Sequence, residues 1–478
     1  MKTKKIFNFL LLLGFLSGCD YLDIVPDNLP TLEMAFNNKS SAERFLFTCY
    51  SFVPEHGKIG TDPGMDVGDE VWYYSDNSAD YSNKTTFWIA KGMQNSNEPL
   101  VDYWNGAQWG KAMFVGIRDC NVFIENIDKV PDLSAYDKET WKAEAKVLKA
   151  FYHFWMMRMY GPIPIIKENI PVSAGEDEVR VVRDKIDDIV TYIVSLIDES
   201  VEYLPLNIQN EAAEMGRITR PAAKAIKAKI LAFAASPFFN GNLDYANFKN
   251  AEGEPFFNQV YDNEKWTKAA DACLEAIQCA EEAGHGLYEF VNMSSTQLSD
   301  ETILSLSNRC KVTERWNKEL VWGCGQSGIR DLQVLCQPWL ESNYSSDDRY
   351  HNARNGTFAP TLAVAETFYT KNGVPMDEDK NYDYSKRYTT QVATEADKYY
   401  IQPGYTTAKL HFDREPRFYA TLGFDGSSWY GIGKMDDNDM WYLQAKAKQA
   451  SGKRGNTLYS ITGYFAKKLV RYQNAMVP

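Results

Sequence analysis

The chain has 478 residues and a formal net charge of −13, with 44% hydrophobic and 24% charged residues. These proportions are typical of a globular protein with a substantial core, and the length allows two or three domains or one large helical array. An acidic chain without a basic stripe is poorly suited to nucleic acid or to an anionic lipid surface, so composition argues against both partners.

The amino end has the pattern of a bacterial lipoprotein leader. Three lysines within 2–5 precede an apolar run over 6–16, which is too short to span a bilayer as a mature helix. The run leads into LSGC at 16–19, which resembles a lipobox, in which the cysteine is lipidated and becomes the mature N-terminus. We therefore predict a signal peptide over 1–18 and lipidation at Cys19, which anchors a protein without letting it span the membrane. An ordinary secretory leader with a cysteine nearby by chance is the alternative.

Residues 19–40 are predicted to form an extended tether, because they contain two prolines and no periodicity. A short helix follows, with Leu46 and Cys49 on its apolar side. The segment 54–106 is long, polar and rich in Gly, Asn and Asp. Its aromatic residues include Trp72, Tyr73, Tyr74, Tyr81, Phe87, Trp88, Tyr103 and Trp104. Loops this long tend to be functional or disordered, and the aromatics argue against disorder.

The strongest helix signal is the segment 139–160. Apolar residues recur there at steps of three or four, and the second half is apolar nearly all round, which predicts packing on several sides. Gly161 and Pro162 end it. Further helices are predicted over 107–127, over 181–204, from Arg220 to Pro237, and over 264–284. The last of these carries Trp266, Ala270, Cys273, Ile277 and Ala280 on one side. Successive helical hairpins suggest a stack of paired helices, although the tetratricopeptide consensus is not preserved.

Past residue 290 the pattern changes to short strands, turns and loops. Residues 319–322 and 417–422 are predicted as short strands, and 360–371 as a helix that begins at a proline. The segment 331–356 is predicted to be a second aromatic loop. Its aromatic residues include Trp339, Tyr344 and Tyr350.

Several stretches, taken in chain order, resemble the SusD/RagB family of outer-membrane glycan-capture lipoproteins of Bacteroidetes. Besides the lipobox, they are GIRDCNVFIENI at 116–127, EAKVLKAFYHFWMMRMYGPIPII at 144–166, GRITRPAAKAIKAKILAFAASPFFNG at 216–241, NKELVW at 317–322, PTLAVAETFYTKNGVPMDE at 360–378, REPRFYATLGFDGSSW at 414–429 and TGYFAKKLV at 462–470. The resemblance implies a mainly α, SusD-like fold, in which tetratricopeptide-like helical hairpins carry a loop-rich face and a few short β-strands. It also implies oligosaccharide binding at the cell surface and a SusC-like, TonB-dependent barrel in the outer membrane as partner.

On this resemblance we divide the chain into four parts. The leader 1–18 and the tether 19–40 precede a SusD-like helical scaffold over 41–289, which carries the aromatic loop 54–106. A RagB/SusD-type region over 290–478 completes the chain. Family members usually continue after their TGYFAKKLV-like strand into further helices, one similar to RLAEVYLNYAEA, so we expect the last part to be truncated.

The sequence contains no recognisable motif for catalysis or metal binding. Its five histidines form no HExxH, and neither a GxSxG nucleophile elbow nor a Walker phosphate loop occurs. We interpret His153 as a core residue, and the cluster of Asp436, Asp437 and Asp439 as a solvated turn, since a calcium loop needs a turn glycine. The cysteines after Cys19 are odd in number and form no CxxC, which favours buried free thiols. We therefore predict no enzyme activity, no metal and no cofactor.

A glycan site needs aromatic faces beside polar side chains. A flat ring covers the apolar C–H face of a sugar, while amide, carboxylate or guanidinium groups fix its hydroxyls. The two aromatic loops combine both kinds of residue. We predict Trp72, Trp88, Trp339 and Tyr344 as platforms, with Asn77, Asn343 and Arg349 as polar partners. The alternative is that each ring pins its own loop to the scaffold, as we expect for Trp104, Trp109 and Trp322.

These patterns predict a cell-surface lipoprotein that captures a glycan and delivers it to the barrel without cleaving it. Three alternatives remain open: a homologue that captures peptides, a lipid-anchored glycoside hydrolase, and a purely structural partner of the barrel. The hydrolase stays open because the separation of two carboxylates cannot be read from sequence.

Overall fold

The computed structural model of the protein describes residues 32–73, 85–293, 295–325, 329–341, 353–455 and 458–473. The predicted leader, Cys19 and most of the tether lie outside these residues, as do Asn77, Asn343, Tyr344 and Arg349. The α-helices within them are α1 (Leu32–Ala35), α2 (Lys39–Tyr50), α3 (Pro63–Asp66), α4 (Thr85–Ala90), α5 (Met113–Asn126), α6 (Ala135–Tyr160), α7 (Glu176–Val179), α8 (Ile186–Asp198), α9 (Glu211–Glu214), α10 (Arg220–Ala235), α11 (Glu264–Glu282), α12 (Asp300–Thr313), α13 (Ile329–Cys336), α14 (Leu362–Thr367) and α15 (Pro416–Thr421). The β-strands are β1 (Val71–Tyr73), β2 (Phe358–Pro360), β3 (Thr390–Val392), β4 (Thr406–Ala408), β5 (Leu422–Gly423), β6 (Ser428–Trp429), β7 (Trp441–Tyr442) and β8 (Phe465–Ala466).

Six longer helices form an array in which each packs on the next, in the order α2, α5, α6, α8, α10 and α11. The longest, α6, begins where the Ser134 side chain accepts a hydrogen bond from the amide of Asp137, and it ends at Gly161, whose φ is 70°. Every residue from Val147 to Met157 is buried. The stack of paired helices is confirmed, and the packing of the second half of α6 on several sides is confirmed as far as Met157, beyond which Met159 is exposed.

A buried ion pair joins three parts of this array. Glu144 on α6 accepts a hydrogen bond from Nη2 of Arg217, shortly before α10, at 2.7 Å. Tyr50, the last residue of α2, donates to the same carboxylate at 2.6 Å and accepts from the amide of Ile218 at 2.8 Å. Burial alone lowers the pKa of a guanidinium, but the Glu144 carboxylate outweighs it and leaves the pKa of Arg217 raised. The network therefore fixes α2 and the start of α10 on the central helix.

A second core joins the first aromatic loop to the C-terminal region. Tyr73 and Phe87 are buried in one apolar cluster with Phe358 and Trp429. The connection runs through β1 and β2, which pair antiparallel with Tyr73 opposite Phe358. The segment 54–106 is therefore not one long loop, because it contains α3, β1 and α4 and packs on C-terminal residues.

The described residues of the C-terminal region form three more two-stranded antiparallel sheets, β3–β4, β5–β8 and β6–β7. Two buried cations, Lys467 and Arg309, lie against the ring of Trp429 and donate to main-chain carbonyl oxygens. Burial lowers the pKa of Lys467 to about 7 and that of Arg309 to about 10. These cations replace apolar side chains at the centre of the region and satisfy backbone acceptors there.

Two predicted strands are wrong. Residues 319–322 form no strand, and the indole of Trp322 instead donates to the carbonyl oxygen of Gly216 at 2.9 Å. Most of 417–422 is helical, because Pro416 occupies the first turn of α15, and the chain becomes extended only at Leu422.

Helix α11 lies where it was predicted, but the stripe of large residues on it is not buried. Trp266 is 43% exposed and Ile277 is 55% exposed. The residues that it buries are small: Ala269, Ala272, Ala276 and Cys279. Small side chains let α11 approach the Ala-rich α10 closely, so close packing outweighs the hydrophobicity of the other side.

The remaining predictions on single residues concern His153 and the cysteines. His153 is fully buried, with Nδ1 2.8 Å from the carbonyl oxygen of Lys149, which confirms it as a core residue. Of the seven described cysteines, all free thiols, five are buried, whereas Cys273 and Cys324 are exposed. Among the described residues, no helix is both long enough and apolar enough to cross a membrane.

Candidate functional site

The β1–β2 pair brings the two predicted glycan loops to one place. Tyr73 is the residue before the segment 74–84, and in the sheet it lies opposite Phe358. Phe358 comes five residues after Ala353, the first described residue beyond the segment 342–352. Four predicted glycan ligands lie in these two segments, outside the described residues: Asn77, Asn343, Tyr344 and Arg349. The described residues therefore show where the loops are rooted.

The prediction that Trp339 offers an open ring face is wrong. The residue is only 4% exposed, and its indole nitrogen donates to the carbonyl oxygen of Ala353 at 3.0 Å. Its amide donates to Oδ1 of Asn355 at 3.0 Å. Trp339 follows α13, whose apolar side lies in the second core, and this placement draws the ring inward. Its role is to hold the two ends of 342–352 together.

Trp72 and Trp88 both neighbour the buried Phe87, Trp72 by ring contact and Trp88 in sequence. Trp72, in β1, is half-buried and meets Phe87 edge-on, with ring centroids 6.1 Å apart. Trp88 follows Phe87 on α4 and is 38% exposed. Trp88 therefore has a ring available to a ligand and Trp72 a partly covered one, and both stay predicted platforms.

A polar cavity of about 460 Å³ opens beside the root of the second loop. Leu340 and Glu341, the residues that precede 342–352, form one wall. The rest of the lining comes from β7, from the residues that follow it, and from Gln402 and Lys434 earlier in the chain. Its side chains include Gln402, Lys434, Trp441, Tyr442, Gln444, Lys448 and Gln449. Amides, ammonium groups and aromatic rings thus surround one space.

The aromatic wall of this cavity is held in place by its own contacts. Trp441 lies opposite Trp429 in the β6–β7 pair, and its indole nitrogen donates to the carbonyl oxygen of Ile432 at 3.1 Å. The ammonium of Lys434 lies 4.4 Å from the Trp441 ring centroid and pairs with Asp439 at 2.5 Å. The ring is therefore half-buried in a fixed orientation before any ligand arrives.

The two glutamines Gln402 and Gln449, whose amide groups line the cavity, differ in the hydrogen bonds that they accept. Oε1 of Gln449 accepts hydrogen bonds from the hydroxyl of Tyr405 at 3.0 Å and from the amide of Lys446 at 2.9 Å. Oε1 of Gln402, by contrast, is buried and accepts no hydrogen bond from the described residues. An unpaired buried acceptor costs free energy, so Gln402 is an unsatisfied amide in the lining of the cavity.

Sequence reasoning missed this cavity. Gln402, Trp441 and Gln449 are separated along the chain, and only the folding of β6–β7 against the residues before β4 brings them together. The pair Trp441-Tyr442, shortly after an acidic turn, was the one local signal. That turn is built by Asp436, which accepts from the amide of Asn438 at 2.8 Å.

The prediction that Trp109 is a structural residue is wrong. We expected its ring to pin a loop, yet the side chain is 69% exposed. Its φ is 72°, and Val101 and Gln108 in the same loop also have positive φ, at 50° and 49°. At Gly110 a Cβ would lie 2.1 Å from the carbonyl oxygen of Asp102, so no side chain fits there. A tightly built, strained loop thus presents an indole to solvent, and such strain is concentrated at functional positions.

A tetratricopeptide-like helical array with a loop-rich face on a second core defines a mainly α protein of the SusD-like fold. Residues 20–231 match a family described as starch-binding and associating with the outer membrane, and residues 330–477 match the SusD family. The chain belongs to the SusD/RagB family, which is associated with the outer membrane. The resemblance drawn from the sequence is thereby confirmed.

A curated relative and two solved structures show how far the similarity extends. The SusD-like protein P25 of Formosa agariphila is 23% identical over 240 residues, which cover 48% of this chain and 43% of that protein. The solved structure of BT4246 is 26% identical, with a TM-score of 0.74, and the match covers 90% of this chain and 72% of that one. A SusD-like carbohydrate binding protein of Bacteroides fragilis, BF0978, shares the fold at 17% identity and a TM-score of 0.51, over 90% of this chain and 67% of that one.

Proposed function

We propose that the protein is a non-catalytic, cell-surface glycan-binding lipoprotein that captures an oligosaccharide and passes it to a SusC-like, TonB-dependent transporter. The observation that carries the proposal is the polar cavity, in which the fixed ring of Trp441 faces amide side chains next to the root of an aromatic loop. Membership of the family supports it, as does the carbohydrate-binding relative of the same fold.

The cavity has the two features that sugar recognition needs. Trp441 covers an apolar C–H face at little entropic cost, because its orientation is already fixed. The free acceptor of Gln402 takes a hydroxyl proton, and the ammonium of Lys448, which forms no ion pair in the described chain, donates to a hydroxyl oxygen. The size, about 460 Å³, suits one or two sugar rings, so affinity of about millimolar, or about −4 kcal/mol, is expected for this site alone.

The acid content of the cavity supports binding without cleavage. Glycoside hydrolysis uses two carboxyl groups, about 5 to 10 Å apart, on either side of the scissile bond. Among the described lining residues, Glu341 is the one acid. A glycoside hydrolase would need a second carboxylate on the other side of the cavity.

Isothermal titration against a panel of oligosaccharides tests glycan binding. We expect heat with at least one glycan, lost or weakened about tenfold in Trp441→Ala and unchanged in Tyr136→Ala, an exposed aromatic at the start of α6. Heat with peptides alone would replace the glycan by a peptide ligand. Release of reducing ends by the purified protein would contradict the non-catalytic role.

The anchor and the transporter have separate tests. Cys19→Ser is expected to move the protein from the membrane to the soluble fraction, and retention in a host that lacks the barrel would contradict the anchor. Co-purification of a TonB-dependent barrel with the tagged protein is expected in the native host. Failure to recover any barrel under mild detergent would leave capture without delivery and overturn that half of the proposal.

A further inference from the structure

Helices α2 and α5 pack on each other in a register that two contacts define. The rings of Phe45 on α2 and Phe123 on α5 stack, with centroids 6.3 Å apart. Just after α2, the ring of Phe52 lies against Gly116, which is two turns before Phe123 on α5, and a Cβ on this glycine would be 2.9 Å from Cγ of Phe52. The two segments therefore run antiparallel and approach closely.

Cys49 and Cys120 lie between these two contacts. Cys49 is one turn after Phe45, and Cys120 is one turn before Phe123, so both are on the side where the helices meet. Both residues are fully buried. Burial raises the pKa of the Cys120 thiol, and the neighbouring Cys49 thiol raises that pKa further. The structure thus shows a reduced pair of thiols that face each other across one helix interface.

The backbone at this interface is close and fixed. A disulfide needs its two Cα atoms within about 4.4–6.8 Å, which packed helices reach where the residues in contact are small. On α5 these residues are Gly116 and Cys120, one turn apart. On the other side, the hydroxyl of Tyr152 in α6 donates to the carbonyl oxygen of Cys49, and its ring meets that of Phe52 edge-on at 6.3 Å. The interface therefore has the closeness that a bond requires.

The second core supplies a comparison for this pair. Among the described residues, the core of the helical array contains Cys49 and Cys120, whereas the second core contains one cysteine, Cys336. Cys336 is as deeply buried as the pair, and burial alone raises its pKa. It is therefore a matched thiol for experiments on Cys49 and Cys120.

A bond between Cys49 and Cys120 closes a long loop. The loop includes the whole segment 54–106, with α3, β1 and α4 and the predicted platforms Trp72 and Trp88. Joining the ends of about 70 residues removes more conformational entropy from the unfolded chain than a short loop does. The cross-link would therefore stabilise the base of the first aromatic segment.

We propose that Cys49 and Cys120 are a site of oxidation and form a disulfide bond as the exported chain folds. The inference rests on the export to the cell surface in the proposed function, because disulfides persist outside the cytosol and are rare within it. Both thiols are buried once folding is complete, so the bond forms before α2 closes on α5. The same burial then keeps reductants from the bond.

The oxidant is a disulfide-carrying oxidoreductase of the CxxC class. The thiolate of one cysteine attacks the disulfide of that enzyme, and one sulfur of the enzyme leaves as a thiolate. The thiolate of the other cysteine then displaces the enzyme from the mixed disulfide and forms the Sγ–Sγ bond. The chain loses two electrons and two protons, and the disulfide of the enzyme takes up both and becomes a dithiol.

Peptide mapping without reduction tests the bond directly. Trypsin releases Cys49 in the peptide 45–58 and Cys120 in the peptide 119–129, and each peptide contains one cysteine. The full chain is taken from membranes of its native host, and free thiols are blocked with N-ethylmaleimide in denaturant. We expect the two peptides joined, with a mass two hydrogen atoms below their sum. Either peptide joined to a third cysteine would overturn the proposal.

The same mapping after refolding in a glutathione redox buffer separates the bond from export. Blocked, unjoined peptides in both preparations would overturn the inference and leave the proposed function intact. Peptides joined after refolding but blocked in the chain from the host would uphold the pair and contradict export, and with it the proposed function. None of these cysteines lines the polar cavity, so glycan titrations stay independent of the outcome.

Thermal unfolding tests what the bond does for the fold. The reduced form, refolded with dithiothreitol, should unfold about 4 °C or more below the oxidised form. This difference should disappear in Cys49→Ala and in Cys120→Ala, whereas Cys336→Ala should keep it. Each variant is compared with itself in the two states, so the cavity left by the smaller side chain cancels. Equal midpoints for the two forms of the unmodified chain would overturn the stabilising cross-link.

Discussion

The indole nitrogen of Trp339 donates a hydrogen bond to the carbonyl oxygen of Ala353, at 3.0 Å, and so joins the two ends of the segment 342–352. Ser451 reinforces the joint, because its hydroxyl donates to the carbonyl oxygen of Trp339 at 2.6 Å. A residue that we selected as a glycan platform is therefore the support of the segment that holds three other predicted ligands, Asn343, Tyr344 and Arg349.

Trp339→Phe is expected to keep most of the buried apolar area and to remove the donor. The carbonyl oxygen of Ala353 then stays buried without this partner, which costs about 1–3 kcal/mol of unfolding free energy. Denaturant unfolding measures that loss. Glycan affinity should fall as well, because the ends of the loop are released. An unchanged unfolding midpoint would show that the hydrogen bond contributes nothing.

Arg217→Met is expected to destabilise the helical array by about 3–5 kcal/mol, since it leaves the Glu144 carboxylate buried without its partner. The double variant Glu144→Gln with Arg217→Met should recover part of the loss, because the buried charge is gone. Chemical denaturation of the three proteins gives both differences. A double variant less stable than Arg217→Met would contradict the explanation by an uncompensated charge.

Local pattern was enough for the longer helices of the array, but it missed α12 and α13 and did not show which faces the helices bury. Thr219, Pro221 and the Ala-rich run placed α10 correctly, because caps and helix formers act within a few residues. The buried side of α11 and the burial of Trp339 depend on partners far away in the chain. The spacing of Trp266 and Ile277 is the same whether that face is covered or open, so periodicity identifies a stripe but not its environment.

The candidate site was harder to predict for the same reason. Its loops were identified from aromatic residues in polar segments, and β1–β2 does bring them together. The cavity beside them depends on Gln402, Trp441 and Gln449, which share no motif and no spacing. Residue type alone also misjudged Trp109, whose exposure follows from a strained turn and not from its neighbours in sequence.

We predict that the buried His153 lowers the free energy of unfolding in acid. Nδ1 donates to the carbonyl oxygen of Lys149, and Nε2 accepts from the amide of Ile166 at 3.2 Å, so only the neutral ring fits both bonds. Burial lowers its pKa to about 4, below the ordinary value of 6.5. The unfolded chain then binds the proton first, and stability falls as the pH drops from 6.5 towards 4.

Comparison with a variant isolates this effect from the carboxylates that titrate nearby. The unfolding free energy of the unmodified chain, measured between pH 7 and pH 4, should fall more steeply than that of His153→Gln, which cannot be protonated. The difference in slope should vanish above pH 7. Parallel curves across the whole range would show that His153 is not the group responsible.

Gln402→Leu should separate stability from binding. Oε1 of Gln402 is buried without a donor from the described chain, so its removal should leave the unfolding free energy unchanged or raise it by about 1 kcal/mol. Glycan affinity should fall about tenfold, since the hydroxyl acceptor is lost. Gln449→Leu is the matched control: its Oε1 accepts from Tyr405 and Lys446, so this variant should lose stability instead. If Gln402→Leu destabilises the protein and leaves glycan affinity intact, the amide supports the fold and the cavity is not the sugar site.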